Sequence, residues 1–224
     1  MVSDKVSDVA SGVASNVVSD VASGVASNKA SATPFDKTLA ALDARHAEDP
    51  RQVEVDGECL PQELWHGRRM SAWLERLHGS PDELTQLAVR GQHLQRWQVS
   101  RHEYPEGRVG YLTWRRDQGR RAGETTARLM QEAGYAPEEA ERVSRMIRKQ
   151  GLGRDEGTQA VEDCACLVFL ENYFTDFSKK VEHDHLVRIV QMTWKKMSPR
   201  AHELALGLPM SGEARALVEE ALAG

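Results

Sequence analysis

The chain is 224 residues long and carries 29 basic and 34 acidic side chains, which gives a formal net charge of -5. This length allows one sizeable hydrophobic core, and the absence of any run of about eighteen apolar residues predicts that no segment spans a membrane. The three cysteines, Cys59, Cys164 and Cys166, lack the spacing of a disulfide framework or a zinc site, which favours a reducing, cytoplasmic environment.

Residues 1–33 are of low complexity, because the segment VSDVASGVASN at Val6–Asn16 is repeated at Val18–Asn28. Valines recur there at nearly helical spacing, but most of their neighbours are too small to bury much surface. Two interpretations stay open: a disordered or weakly helical tail, and a lightly amphipathic segment that docks on a partner. Acidic residues, the lack of arginine and the lack of an apolar stretch argue against a mitochondrial or secretory leader. We assign residues 1–34 to a tail and residues 35–224 to a single helical domain.

The residues that typically begin and end helices predict an all-α domain from Phe35 onward. Capping residues, first-turn prolines and closing glycines bound the apolar periodic segments. The Val53 and Val55 alternation is too short to predict a sheet. The predicted helices cover 36–46, 61–77, a segment from 80 to beyond 94, 123–133, 137–150, 158–177, 184–197, 199–206 and 211–223.

The helix that begins at Ser80-Pro-Asp-Glu83 is predicted to use both of its faces. Leucines and a glycine line one face for packing, while His93, Arg96 and Trp97 fall on the opposite face together with Val89. The positions of these residues around the helix predict one face that packs on the core and an opposite face that is polar and aromatic.

The segment Ala88–Arg121, called the basic island below, holds eight arginines and three acidic residues within an acidic chain. Guanidinium groups match phosphate and carboxylate oxygens, and interleaved aromatic rings stack on bases or on the arginines themselves. The loop RHEYPEGRVGY lies within the island, and loops held between helices commonly carry binding residues. The alternative is that the aromatic rings pack the loop on the core and the arginines form ordinary ion pairs. The candidate ligand-binding residues are Arg96, Trp97, Arg101, Tyr104, Arg108, Tyr111, Trp114 and Arg115, together with Lys149 of a later helix.

Three further residues are candidate catalytic groups. His93 titrates near neutrality and is the best candidate general base, although a single histidine also serves as a hydrogen-bonded structural residue. Glu162 and Asp163 begin the apolar run CACLVFLENYF, where carboxylates require cationic partners such as the arginines of the basic island, Lys149 or a metal ion. The alternative is a salt-bridge network that only fixes the helices.

Two shorter patterns suggest other functions. The order His66, His93, Asp163 resembles the order of metal ligands in the HD hydrolases, which adds a divalent metal as an alternative cofactor. His93 is followed by Leu94 where those enzymes have aspartate, so one ligand of that pattern is missing. Lys195–Ser198 resembles part of the KMSKS loop of class I aminoacyl-tRNA synthetases, but the predicted helices provide no nucleotide-binding sheet.

Longer motifs carry a more specific resemblance, in the segments QHLQRW, SRHEYPEGRVGYLTWR, IRKQGLGRDEGTQAVEDCACLVFLE and TWKKMSPR. They resemble domain of unknown function 4202, a family of bacterial and fungal proteins whose fungal members are sometimes labelled glutamyl-tRNA synthetase. The resemblance covers most of residues 35–224. It implies that the candidates in the basic island, Lys149, Asp155, Glu162 and Asp163 stand on positions of the family pattern, and that members often carry another residue at His66. It implies no activity.

These features together predict a helical protein that binds a phosphate-bearing small molecule or nucleotide in a pocket of arginines and aromatic rings. The enzyme hypothesis is phosphoester hydrolysis, with His93 and Asp163 placing a water molecule or a metal ion. The alternatives are non-catalytic recognition of a nucleotide or of RNA, and a module that docks an acidic protein surface.

Overall fold

Ten helices and one β-hairpin make up residues 32–223, which are the residues that the computed structural model describes. This architecture confirms the predicted all-α class. The predicted tail, apart from its last three residues, lies outside the described part of the chain. The elements are α1 (Pro34–Ala47), β1 (Gln52–Val55), β2 (Glu58–Pro61), α2 (Gln62–His78), α3 (Glu83–Gly91), α4 (Gly107–Ala133), α5 (Pro137–Ile147), α6 (Glu156–Asn172), α7 (Phe174–Ser178), α8 (His183–Trp194), α9 (Pro199–Leu206) and α10 (Gly212–Ala223).

Helix α6 lies at the centre of the core and packs against α2, α3, α5 and α9. Most of its apolar run is buried: Cys164, Leu167 and Val168 are fully inaccessible, while Ala165 and Phe169 are partly buried. A helix with so apolar a surface is stable only when neighbouring helices cover most of it. None of the described helices is long and apolar enough to cross a membrane.

The β-hairpin corrects the prediction that Val53 and Val55 are too few for a sheet. Strands β1 and β2 pair antiparallel, with Val53 opposite Leu60 and Val55 opposite Glu58. The connecting residues Asp56 and Gly57 both have positive φ, 53° and 84°, which is the backbone of the two-residue turn that Asp-Gly favours. The Asp-Gly pair is therefore the local signal for this hairpin, and the hairpin leads directly into α2.

Helix α3 ends earlier than predicted, at Gly91, so His93 and Leu94 lie in the following turn. The cap of α3 is Asp82, whose side chain accepts a hydrogen bond from the Thr85 amide, and not Ser80. Val89 is fully buried, so both faces of α3 pack against the core. The chain then reverses at Gln95, which has a φ of 56°, and this reversal directs Arg96 back towards α2.

Helix α4 begins at Gly107, sixteen residues before the predicted start at Gly123, so the second half of the predicted loop is helical. Gly110 explains why the start was hard to predict: a Cβ atom there would lie 1.8 Å from the carbonyl oxygen of Pro105. Only glycine lets the incoming loop cross the helix at this distance. The helix consequently displays Tyr111, Trp114 and Arg115 from regular structure.

The helix predicted over 158–177 is divided at Tyr173 into α6 and α7, and α5 ends at Ile147, three residues before its predicted end. Tyr173 has a φ of -120°, outside the helical range. The break turns the Tyr173 side chain towards α2, where it meets the start of that helix.

Candidate functional site

A polar cavity of about 130 Å³ lies where the hairpin, the first turns of α2 and the turn after α3 meet. Its walls come from the residue before the hairpin, the start of α2, the turn after α3 and the break between α6 and α7. The side chains that line it are Arg51, Gln62, Glu63, His66, His93, Arg96 and Tyr173.

Glu63 provides the carboxylate of this cavity and is only 4% exposed. Its Oε1 atom accepts a hydrogen bond from Arg51 at 2.8 Å, and its backbone amide donates to Asp49 at 3.1 Å. Its Oε2 atom is buried, lies 3.9 Å from Nδ1 of His93, and has no hydrogen-bond partner among residues 32–223. Burial raises the pKa of Glu63 to about 7, against the opposing effect of Arg51. This carboxyl group can therefore hold or release a proton near neutral pH.

His66 and His93 form a stacked pair of neutral rings beside Glu63. Their ring centroids are 4.4 Å apart, and Nδ1 of His66 lies 3.3 Å from the Tyr173 hydroxyl. Burial, with smaller effects from His46 and Arg96, lowers the pKa of His66 to about 3. Burial followed by Arg96 and His66 lowers the pKa of His93 well below its ordinary value. Both rings offer a lone pair and an N–H group but no charge.

Arg96 is the cation of the cavity that has no carboxylate within ion-pair distance among the described residues. Its guanidinium lies 4.3 Å from the centre of the Trp114 ring, a cation–π contact. Helix α4 fixes the backbone of this turn, because the Gln118 amide donates to the carbonyl oxygens of Arg96 at 3.0 Å and Val99 at 2.7 Å. Arg51, in contrast, is paired with both Asp49 and Glu63.

The aromatic side chains of α4 continue outward from Arg96. The ring centroids of Trp114 and Tyr111 are 6.1 Å apart, and the Arg115 guanidinium lies 5.8 Å from the centre of the Tyr111 ring. Tyr111 is 43% exposed, so this row of side chains leads from the cavity to the surface. Sequence reasoning predicted these contacts within the basic island.

Glu162 is buried and holds two lysines, as the sequence predicted for a carboxylate in this run. Its Oε2 atom lies 2.5 Å from Nζ of Lys149, and its Oε1 atom lies 3.7 Å from Nζ of Lys196. Burial is the largest effect and acts to raise its pKa, but Lys149, Lys196 and Arg115 together outweigh burial, so the pKa lies below its ordinary value. Glu162 therefore stays ionised at neutral pH.

Asp163 has a different environment from its neighbour Glu162. Its Oδ1 atom accepts hydrogen bonds from the Gln159 amide and from the backbone N–H of Ser198, both at 2.9 Å. Asp163 thus anchors the start of α9. Within the described residues no group of three His, Cys, Asp or Glu side chains is placed to bind a metal ion, so His66, His93 and Asp163 do not form such a group.

The other predicted ligand-binding residues build the loop before α4. Arg101 donates to the carbonyl oxygens of Tyr104, Pro105 and Gly107 at 2.9–3.3 Å. The Tyr104 hydroxyl donates to Asp117 at 3.2 Å. Trp97 is partly buried, and Arg108 is exposed at the first turn of α4.

Sequence reasoning missed Glu63, Arg51, Gln62 and Tyr173. One signal for Glu63 was available: it stands three residues before His66, on the face of α2 that also carries Met70 and Trp73. A carboxylate in such a buried stripe needs a partner or a function. Arg51 and Tyr173 carry no local signal, because only the hairpin and the break after α6 bring them to the cavity.

The fold and the cavity define the class: an all-α domain with a polar pocket, one of whose lining residues, Arg96, also contacts a row of aromatic rings and arginine on α4. The model of the family called domain of unknown function 4202 matches residues 36–218, and the chain belongs to this family. No curated protein and no solved structure matches the chain at a significant level. The family match confirms the resemblance found in the sequence motifs.

Proposed function

We propose that the cavity binds the phosphoryl group of a phosphorylated small molecule, including a nucleotide, and that the protein hydrolyses a phosphoester there. One observation carries this proposal: the same cavity is lined by Arg96, whose guanidinium forms no ion pair among the described residues, and by Glu63, whose buried Oε2 atom has no hydrogen-bond partner there. Buried polar atoms without partners are costly and are most common at functional sites.

The charges of the cavity favour an anion when Glu63 is protonated. The two positive charges of Arg51 and Arg96 are then opposed by one negative charge, that of Asp49. Arg51 already binds the Asp49 carboxylate through two hydrogen bonds. A planar guanidinium donates two parallel hydrogen bonds to a phosphoryl group. The neutral rings of His66 and His93 add an N–H donor each without repelling an arginine.

The volume of the cavity limits which part of the ligand it holds. Each water molecule occupies about 30 Å³ in the liquid, so about 130 Å³ corresponds to a phosphoryl group with a few water molecules. Whole ligands of drug size occupy pockets of roughly 300–1,000 Å³. The rest of the ligand therefore lies outside, where Arg96 stacks on Trp114 and Tyr111 offers an exposed ring to a base or another planar group.

The proposed reaction uses Glu63 as the general base and the arginines as charge stabilisers. With a pKa of about 7, Glu63 is ionised in about half of the molecules at neutral pH, and this form is the base. A water molecule attacks phosphorus and its proton passes to the Oε2 atom of ionised Glu63, while the ester P–O bond breaks and the leaving oxygen takes a proton from solvent water. The neutral His93 ring beside Oε2 orients this water molecule. Arg96 and Arg51 stabilise the negative charge on the phosphoryl oxygens in the transition state. A base with a pKa of about 7 is well matched to neutral pH.

A thermal-shift experiment with inorganic phosphate and a panel of nucleotides tests the binding step. A ligand that binds only the native state raises its melting temperature, so the wild type is expected to be stabilised by at least one of these compounds. Arg96→Gln should abolish this shift. Arg121→Gln is the matched control, because Arg121 belongs to the same basic island but is exposed and, among residues 32–223, hydrogen-bonds only to Gln98, at 3.4 Å. No shift of the wild type, or equal shifts of the two variants, would refute the proposed site.

An assay of phosphoester hydrolysis tests the chemical step separately. Glu63→Gln should still bind the anion but lose at least about a hundredfold in turnover, which is the usual loss when a general base is removed. Unchanged turnover in Glu63→Gln would remove Glu63 from the mechanism.

The surface of α4 supports a second candidate function, non-catalytic binding of RNA. The first four turns of α4 belong to the basic island and expose Tyr111 and five arginines: Arg108, Arg115, Arg116, Arg120 and Arg121. Arginine and aromatic side chains on one surface bind the phosphates and bases of single strands. This alternative predicts that the two substitutions have the opposite relative effects. Arg121→Gln should weaken salt-dependent RNA binding, and Arg96→Gln should leave it unchanged.

A further inference from the structure

A second cavity, of about 120 Å³, lies between α1, α2 and α3 and shares no lining residue with the cavity described above. Its floor includes Leu74, which is only 1% exposed. Its apolar lining consists of Phe35, Leu39, Leu74 and Pro81, and its charged lining residues are Glu75 and Arg90. The second cavity therefore combines an apolar wall with two groups of opposite charge.

Arg90 brings hydrogen-bond donors without partners to the second cavity. Its side chain is 11% exposed, and its Nε and Nη1 atoms are buried and have no hydrogen-bond partner among residues 32–223. The Oδ1 atom of Asp43 lies 3.2 Å from Nε but does not form a hydrogen bond with it. Buried donors of this kind are costly and call for a partner. The planar fork of a guanidinium group fits a carboxylate through two parallel hydrogen bonds.

Neighbouring helices hold Arg90 in position. Nε2 of His46, on α1, donates a hydrogen bond to the carbonyl oxygen of Arg90 at 2.8 Å. Helix α2 packs directly on the stem of the side chain, because a Cβ atom at Gly67 would lie only 3.2 Å from the Cδ atom of Arg90. The side chain is thus ordered before any ligand arrives, which lowers the entropic cost of binding.

Glu75 provides a negative charge on the same cavity. It is exposed and forms no ion pair among residues 32–223, so it does not pair with Arg90. The guanidinium of the adjacent Arg76 lies 3.8 Å from the centre of the Trp73 ring instead. A ligand that carries both a carboxylate and an ammonium group would satisfy Arg90 and Glu75 together.

The volume of the second cavity limits the apolar part of such a ligand. A water molecule occupies about 30 Å³ in the liquid, so about 120 Å³ holds roughly four groups of the size of a methyl group. A short branched aliphatic chain fits this space, whereas an aromatic ring or a long acyl chain does not.

We propose that the second cavity binds a free aliphatic α-amino acid of the size of valine. Arg90 binds its carboxylate, Glu75 binds its ammonium group, and Phe35, Leu39 and Leu74 surround its side chain. This site is additional to the proposed phosphoryl function and does not depend on it.

Calorimetric titration of the full chain with valine and three analogues, at millimolar concentrations, tests the chemistry of the site. Alanine should bind at least about tenfold more weakly than valine, because it buries two methyl groups fewer. Isobutylamine, which lacks the carboxylate, should also lose at least about tenfold, since it leaves the donors of Arg90 unpaired. For 3-methylbutanoate, which lacks the ammonium group, the expected loss is about three- to fivefold, because Glu75 is exposed.

Two variants test the assigned contacts. Glu75→Gln should weaken valine binding by about three- to fivefold and leave 3-methylbutanoate binding unchanged. Arg90→Lys keeps a positive charge beside Asp43 but loses the guanidinium fork, so it should weaken the binding of both compounds. Glu132→Gln, at an exposed position of α4 outside the cavity, is the control and should bind valine as the wild type does.

Three results would overturn the amino-acid site: no binding of valine to the wild type, equal affinity for valine and 3-methylbutanoate, or the same effect of Glu75→Gln and Glu132→Gln. None of them bears on the phosphoryl cavity, because the two cavities have no lining residue in common.

Discussion

The imidazole rings of His66 and His93 lie face to face, with centroids 4.4 Å apart and planes inclined by 13°. Two rings at this distance cannot both carry a charge at low cost, and burial already lowers the pKa of each of them. The pair therefore forms a polar wall without charge. In the proposed function, the arginines therefore attract the anion and Glu63 transfers the proton near pH 7.

The pH dependence of stability is the first prediction. The pKa of His66 is about 3 in the folded protein and near 6.5 in an unfolded chain, so between these values the unfolded state binds the extra proton. His66 therefore contributes stability above pH 6.5 that is lost as the pH falls towards 3, by about 1.4 kcal/mol per pH unit. Urea denaturation between about pH 5.5 and pH 4 should show a slope of stability against pH that is smaller by roughly this amount in His66→Gln. His102→Gln, at an exposed position, should keep the wild-type slope. An unchanged slope in His66→Gln would mean that His66 is not buried as a neutral ring.

The pKa of Glu63 is shifted in the opposite direction to that of His66, and under the proposed function its ionisation sets the pH dependence of anion binding. Its pKa is raised to about 7, so it is neutral below this pH and repels an anion above it. Sulfate keeps one charge state between pH 6 and 8, and its affinity should fall by up to about tenfold over this range in the wild type. Glu63→Gln should flatten the profile, whereas Glu58→Gln on the exposed strand of the hairpin should not. A Glu63→Gln variant with the wild-type profile would contradict the role of this carboxyl group.

Lys149 and Glu162 should be energetically coupled. Loss of one partner leaves the other charge buried, which typically costs about 3–5 kcal/mol. Lys149→Met is expected to lose about 3 kcal/mol of unfolding free energy, and the double variant with Glu162→Gln should recover a large part of it. The exposed pair Arg200 and Glu203, at 2.8 Å, is the control cycle and should show a coupling below about 1 kcal/mol. Additive losses at Lys149 and Glu162 would show that the pair is not formed.

Two glycines of α4 should respond in opposite ways to alanine. At Gly110 the added Cβ atom would meet the Pro105 carbonyl oxygen at 1.8 Å, while at Gly119 the nearest atom would be the Arg148 Cα at 3.7 Å. Gly110→Ala should lose roughly 2 kcal/mol or more through strain, and Gly119→Ala should gain up to about 1 kcal/mol from helix propensity. Thermal denaturation of the two variants distinguishes them. Equal stability would mean that the loop does not cross α4 at Gly110.

Local signals in the sequence predicted most of the helices. Helix α9 was predicted with its observed ends because Ser198 caps its first turn, and the end of α4 was predicted because Gly134 closes it. The start of α4 and the end of α3 were missed for a different reason. The start of α4 depends on the close approach of the Pro105 carbonyl group to Gly110, and the course of the chain after α3 depends on the left-handed backbone of Gln95. The pattern of apolar residues in the sequence shows neither feature.

The candidate site was likewise predicted only where local signals in the sequence were enough. His93, Arg96 and the pair of Lys149 with Glu162 were found because their residue types stand out within single segments. Glu63, Arg51 and Tyr173 join them only through tertiary structure, since the hairpin and the break at Tyr173 bring them to the cavity. Functional residue types can be recognised within one segment of the sequence. Contacts between segments that are distant in the sequence cannot be recognised in this way.

The most direct test of phosphoryl binding is anomalous diffraction from crystals of the full chain soaked with selenate, a tetrahedral dianion. A selenium peak is expected inside the cavity, within hydrogen-bond distance of the Arg96 and Arg51 guanidinium groups, and it should be absent from crystals of Arg96→Gln. Selenium peaks found only on the exposed arginines of α4, with none in the cavity at saturating selenate, would contradict the proposed site.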